Sequence, residues 1–352
     1  MSRNVVLNVG FKYVEPLSFR ALGDPHPVTV GPASHSTSNP YPLPTTLLGA
    51  FLTCSGWYRN LENRYLDETS FREWFRNIYG DIFQGVGPIY LSKPNSNGGE
   101  EECLIVEGGL LCLDDKGNVV MKRALYHSVT RVSLEDRFRV AKEGYLFNVR
   151  MVGYERGARL SVDVMIDSSI VETVVSSTSC PLGGYSRVAI MEVKGGSEPL
   201  LLERLRRAVV ENSKRDLRKM ALVVVTPILF ETDGIDYARA EKPYTGSISP
   251  REYLEKLGVR GGRLMPYLER LKISFSENWK VRIAPLNAGW DYRLGRRRPY
   301  YAAILPGSYM VIDRPCRALS LCVRELYWRG VGLAEEIGYG RLALIPLWER
   351  NA

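Results

Sequence analysis

The sequence EEIGYGRLALIP, from Glu335 to Pro346, sets Gly338, Gly340 and Arg341 directly before an apolar run. The run reads as a last strand, and the glycines imply positive φ angles or a backbone that something approaches closely. One such turn needs no ligand, because helices commonly end in glycine. A second turn of the same kind at a matching place in the chain would change that reading.

CPLGGYSRVAIMEV supplies it, with Gly183 and Gly184 ahead of another alternating run and Arg187 close behind. Working outward, NVVLNVGFKYV alternates Val5, Leu7, Val9, Phe11 and Tyr13 as a first strand. PTTLLGAFLTCSGWYRNL follows as a helix capped by Thr45 or Thr46, extended by a second helix over Phe71 to Tyr79. Gly80 to about Leu125 is turn-rich and reads as an insertion of short strands and loops. GYLFNVRMV and ARLSVDVMI flank GYERG as a β-hairpin. Asp167 or Ser169 caps a short helix through Ser176, and YSRVAIMEV closes a β-α-β-β-α-β unit.

Residues Leu200 to Lys219 then form a basic amphipathic connecting helix, and MALVVVTPILF is a buried strand. Ser249 and Pro250 open the next helix, with further helical turns around Leu264 to Leu271. WKVRIAPL and YYAAILPGSYMVID are strands, RALSLCVRELYWRG is a helix and GRLALIPLW the last strand. The expected fold class is therefore α+β: two tandem ferredoxin-like (βαββαβ, RRM-like) domains, 1–196 and 197–352, with an insertion and basic hairpin at about 80–160 of the first. Both glycine turns fall between second helix and fourth strand, and their exposed N–H groups can cradle phosphate oxygens.

Composition frames the partner. In 352 residues, 47 Lys and Arg against 39 Asp and Glu give +8, which favours a polyanion. Cys54, Cys103, Cys112, Cys180, Cys316 and Cys322 form no C-x-x-C pair, and no basic-then-apolar leader opens the chain. Reduced thiols and a cytoplasmic location follow as expectations. No apolar run approaches the ~20 residues of a membrane span. His26, His35 and His127 are too few for a histidine-rich metal centre, so no metal and no cofactor are expected.

Between His127 and Arg159 the cations Arg131, Arg137, Arg139, Lys142, Arg150, Arg156 and Arg159 interleave with Tyr126, Phe138, Tyr145, Phe147 and Tyr154. Single-stranded RNA is held by that mixture, cations on phosphates and aromatic faces on bases. The alternative is a solvated hairpin whose aromatics lie in the core. RLGRRRPYY, with Arg293 and Arg296 to Arg298, is a second basic stretch that also suits a solvated loop. The RNP1 pattern is missing, so recognition would come from loops and hairpins.

A tandem ferredoxin-like chain ending in IGYGR resembles the RAMP superfamily of CRISPR proteins. EPLSFRALGD, PYPLPTTLLGAFLT, RVSLEDRFRVAKEGYLFNV, CPLGGYSRVAIMEV and LPGSYMVID resemble, in order, blocks of the tag-capping subunit of the type III-B Cmr effector. The resemblance implies a non-catalytic protein that clamps the 5′ tag of CRISPR RNA and joins the Cmr backbone RAMP subunits to the large polymerase/cyclase-like subunit. It implies RNA contacts at Gly338, Tyr339, Gly340 and Arg341, at Gly183, Gly184, Tyr185 and Arg187, at Arg20, and at His127, Arg131, Arg137, Arg139 and Lys142. The family's Gly-Arg-Pro-Phe after Phe-Arg is replaced here by ALGDPHP, which sets Asp24 to Pro27 apart. The rival readings are the equivalent subunit of the sister type III-A Csm complex and a metal-independent endoribonuclease built on His26, His35, Tyr126, His127 and Lys142.

Overall fold

The computed structural model describes residues 4–19, 35–37, 39, 41–57, 77, 79–80, 82–95, 99–106, 109–114, 116–123, 125–134, 141–174, 176–183, 187–196, 198–214, 220–230, 267, 270, 274–287, 290–291, 296–297, 300–314 and 318–347. The described chain is a mixed α+β structure of large antiparallel sheets and few helices. The helices expected over Phe71 to Tyr79, after Ser249 and around Leu264 to Leu271 lie almost wholly outside the described residues.

The largest sheet has eight strands. It uses β1 (Asn4–Tyr13), β3 (Phe83–Pro94), β4 (Glu100–Val106), β5 (Gly109–Leu113), β6 (Val119–Lys122), β9 (Arg159–Asp167), β10 (Ser177–Pro181) and β11 (Val188–Gly196). They run in the spatial order β10-β11-β1-β9-β3-β4-β5-β6. The strands of residues 80–125, read from the sequence as an insertion, lie in the unit's own sheet, with β3 beside β9 and β4 to β6 extending it to the edge. In them Leu91, Cys103, Leu104, Ile105, Cys112 and Leu113 are fully buried. Strands covered on both faces read as continuous apolar runs, and the turns between them masked that signal.

The expected hairpin of residues 144–152 with 158–166 does not form. β9 pairs instead with β1 and β3, while β8 (Ala141–Gly153) pairs with β7 (Leu125–Leu134) in a separate ribbon flanked by β2 (His35–Thr37). Alternation places a residue in a strand but does not choose the strand's partner.

Helix α1 (Pro44–Cys54) starts from an extended Leu43 with Pro44 in the first turn, so proline rather than Thr45 or Thr46 sets its start. It covers the β1, β3 and β9 face through Leu47, Phe51 and Leu48. Asp167 caps the 3-10 helix Ser168–Thr173, accepting from the Ser169 N–H at 2.8 Å.

In the second half, α2 (Leu200–Lys214) and α3 (Leu319–Trp328) lie over β20 (Leu342–Pro346). Three apolar stretches each break into two strands that enter different sheets: β12 (Met220–Val224) with β13 (Ile228–Phe230), β14 (Ser274–Lys280) with β15 (Ile283–Asn287), and β18 (Tyr300–Ile304) with β19 (Tyr309–Arg314). The breaks coincide in space, since Val224 N donates to Ser308 O and Gly307 N to Val224 O, both at 2.8 Å. One sheet runs β14-β19-β12-β20 and the other β13-β18-β15. The two-residue β16 (Trp290–Asp291) and β17 (Arg296–Arg297) pair with each other, which puts part of the RLGRRRPYY stretch in a small hairpin.

The core of the second half is completed by the first. Tyr90, Leu104, Val106, Leu111 and Leu113 belong to the same apolar cluster as Leu205, Leu222, Leu326 and Leu344. On β3, Gly85 and Gly87 make room for α3: a Cβ would stand 3.2 Å from the Trp328 ring at the first and 2.9 Å from the Tyr327 ring at the second.

The cysteines overturn the expectation of reduced thiols. Cys54 is bonded to Cys180 and Cys103 to Cys112, Cys322 is also disulfide-bonded, and no described cysteine is free. Cys54 and Cys180 lie 126 positions apart, so spacing in the sequence could not pair them. No described helix is long and apolar enough to cross a membrane.

Candidate nucleic-acid interface

The first glycine turn ends the β10–β11 hairpin. Leu182 N donates to Arg187 O at 2.9 Å, and Gly183 follows at φ 77°, a left-handed value that favours glycine. The absent side chain matters twice, because a Cβ on Gly183 would stand 2.6 Å from Ser18 O. The segment after β1 thus lies directly against the turn. That segment is bonded in turn to the base of the β7–β8 ribbon: Leu17 and Val152 exchange both backbone hydrogen bonds at 2.8 Å. Asn39 N donates to Phe19 O at 2.8 Å, and β2 runs parallel to β8 with His35 opposite Asn148.

Four separated stretches, 15–19, 35–37 with 39, 125–134 with 141–153, and 183 with 187, therefore converge on one corner of the molecule. Two of them, the β7–β8 ribbon and the Gly183 turn, carry residues that the sequence singles out for RNA contact. On the ribbon the register sets His127 opposite Met151 and Arg131 opposite Phe147, with Lys142 on the opposing strand beyond. Arg20, Arg137, Arg139, Gly184 and Tyr185 lie outside the described residues.

The charges at this corner are partly committed. Arg187 is ion-paired with Glu15 and its Nη2 lies 3.7 Å from Met151 Sδ, so its cation is neutralised within the protein. Arg159 pairs with Glu100 at 2.8 Å and leaves the basic set, and Tyr154 is buried edge-on to Tyr13. Burial pushes the Tyr13 phenol well above its ordinary value, which keeps it neutral. Glu15 has no sequence signal as a partner, since it stands 172 positions before Arg187 by the numbering.

The second glycine turn is elsewhere. Gly338 and Gly340 do take positive φ, 98° and 68°, but the turn lies inside the protein. Tyr339 is 1% exposed and Arg341 2%. Arg341 Nε donates to Val86 O at 2.7 Å and Nη2 to Glu335 O at 2.8 Å. Its own N–H donates to Thr226 Oγ1, which donates to Gly338 O. The Tyr339 hydroxyl stands 3.3 Å from Thr45 Oγ1 on α1. A Cβ on Gly340 would lie 1.9 Å from Val331 O, and one on Gly338 would touch Val86 at 3.0 Å. What approaches these glycines is protein: the turn joins α1, β3 and the end of α3. The polar side-chain groups of Tyr339 and Arg341 are thus turned to protein partners, in the loop where the sequence sets RNA contacts at Gly338, Tyr339, Gly340 and Arg341. Burial lowers the Arg341 guanidinium to about 10, still charged at neutral pH.

A buried polar cluster lies beside this seam. Asp163, fully buried on β9, accepts from Asn8 Nδ2 at 2.9 Å, from the Tyr90 hydroxyl at 3.2 Å and from the Tyr327 hydroxyl. Tyr327 comes from α3, so the carboxyl ties the second half to the large sheet. Glu101, Cys103 and Cys112 bring potential metal-ligand atoms within 4.8 Å of one another, but the disulfide occupies both sulfurs.

Solved structures share this fold. A chain of the Type III-B Cmr-beta complex bound to cognate target RNA and AMPPnP matches with a TM-score of 0.51 at 16% identity, over 96% of this chain and 99% of that one. A chain of Cmr-beta bound to cognate target RNA matches with a TM-score of 0.51 at 16% identity, over 97% and 96%. The profile of the CRISPR-associated protein family Cas_Cmr3 matches residues 128–347, more than half of the chain, and the chain belongs to that family. No curated protein matches it.

Proposed function

We propose that the chain is a non-catalytic RNA-binding subunit of a type III-B Cmr effector, capping the 5′ tag of CRISPR RNA and bridging the backbone RAMP subunits to the large polymerase/cyclase-like subunit. The observation that carries this reading is the convergence of the Gly183 turn, the 15–19 segment and the β7–β8 ribbon at one corner. On this reading RNA contact is assigned to the cations carried by the ribbon's sequence rather than to the buried IGYGR loop. Membership of the Cas_Cmr3 family supports it, as does the fold shared with chains of RNA-bound Cmr-beta complexes.

The two sheets also support a tandem ferredoxin-like plan. In unit order the large sheet sets β11-β1-β9-β3 as fourth, first, third, second, and β20-β12-β19-β14 repeats that order. Neutralising Arg131 and Lys142 together weakens binding of a tag-containing single-stranded RNA and makes the log–log salt slope shallower by about 0.7 for each phosphate contact removed. Filter binding across a salt series measures it. An unchanged slope would take the ribbon out of RNA binding and the reading with it.

A further inference from the structure

Helix α1 links the two glycine turns. At its start Thr45 meets Tyr339 at 3.3 Å, and Gly338 lies against Pro44. At its end Cys54 is bonded to Cys180 on β10, with Cα atoms 5.9 Å apart. Cys180 is three residues before Gly183. The strand that carries it is an edge, paired to β11 on one side only. An edge strand lacks a second ladder to hold it in place. The disulfide supplies that constraint from the α1 side.

Cys103–Cys112 is different. It joins β4 to β5, which already pair at that register, with both cysteines fully buried. It constrains nothing near the candidate interface.

We propose that Cys54 and Cys180 are positioning residues for RNA: their disulfide holds the Gly183 turn against Ser18, and the protein binds RNA tightly only while the bond is intact. The inference rests on the RNA-binding reading above. Cys180 is fully buried and Cys54 half-buried, so Cys54 is the side from which a reductant reaches the bond. On reduction, two electrons and two protons pass from dithiothreitol, which closes to its cyclic disulfide, and Cys54 and Cys180 are left as thiols. The Cys54→Ala, Cys180→Ala variant gives the same state without a reductant.

The test compares full-length wild type with that variant and with Cys103→Ala, Cys112→Ala. Hydrogen exchange of residues 177–190 and affinity for an end-labelled single-stranded RNA carrying the tag are both read. Both variants melt at lower temperature than wild type. Only the Cys54/Cys180 variant exchanges faster at the turn, and only it binds RNA about tenfold more weakly in Kd. If that variant does not fold, titrating wild type with dithiothreitol and following the same two readouts replaces it. Equal turn exchange, or equal affinity loss in both variants, overturns the proposal. Wild-type protein that does not bind the RNA removes the RNA-binding reading itself, and the exchange data then decide the positioning claim alone.

Discussion

Arg341 donates to the backbone carbonyl of Val86 at 2.7 Å, joining the entry to the last strand to a residue 255 positions earlier. Two of its nitrogens, Nε and Nη2, donate to oriented carbonyls while Nη1 is buried without a partner among the described residues, and removal of the guanidinium takes those donors from the Val86 and Glu335 carbonyls. The glycine-rich loop around it is therefore a packing joint between the halves of the molecule.

Gly340→Val tests that role. The variant must fit a β-branched side chain at φ 68°, with its Cβ 1.9 Å from Val331 O. Strain and overpacking together cost about 3 kcal/mol or more. Thermal unfolding and RNA affinity fall in parallel, because the defect is in the fold. A variant that melts like wild type but has lost RNA binding would return the loop to the RNA surface.

The positive φ angles at Gly338 and Gly340 were legible from sequence, because only the residue type is needed to infer them. The identity of the group that approaches them was not. Phosphate oxygen and the Val331 carbonyl place the same demand on a glycine, and only tertiary structure separates them. The same holds for Asp163. In ARLSVDVMI it alternates with Leu160, Val162 and Val164, and nothing in that pattern shows that Tyr327 of α3 reaches the side on which Asp163 lies. The second strand of the first unit was misplaced for a related reason. β3 carries Gly85 and Gly87, which lower strand propensity locally and serve the docking of Trp328 and Tyr327. By contrast, α3 keeps clean periodicity because it buries one face, and β20 reads as an unbroken apolar run because it is buried throughout; both stand where the pattern sets them.

Asp163 gives a pH-dependent outcome. Burial pushes its carboxyl up from the ordinary 3.8, against hydrogen bonds from Tyr327, Asn8 and Tyr90 that pull it down. With the folded-state pKa raised, its contribution to stability is complete below the unfolded value and is lost as pH rises through the folded one. Asp163→Asn has no such titration. The variant's stability relative to wild type is therefore lowest below about pH 4 and improves toward neutral pH. Asp163→Ala takes the acceptor from the Tyr90 and Tyr327 hydroxyls, while Asn8 Nδ2 keeps the Tyr90 oxygen at 2.6 Å, and costs roughly 3 kcal/mol at acid pH and less as pH rises, because alanine does not titrate either. Urea unfolding of the three proteins at acid and neutral pH measures both effects. A wild-type-to-Asn difference that stays constant would show that the carboxyl does not change state in that window.

Scaffold and nuclease make opposite demands on His127. The ribbon register sets it opposite Met151, with Tyr126 opposite Val152 beside it and Lys142 on the other strand. Metal-free RNA cleavage needs a base at the 2′-hydroxyl and an acid at the leaving oxygen, each typically contributing ~10²–10⁴-fold in rate. On the scaffold reading those groups only bind, so wild-type protein leaves end-labelled repeat-containing RNA intact, with or without divalent metal, and His127→Ala changes RNA affinity alone. Denaturing gels of RNA incubated with each protein decide it. Site-specific cutting by wild type that disappears in His127→Ala would make His127 catalytic and replace the scaffold with an endoribonuclease.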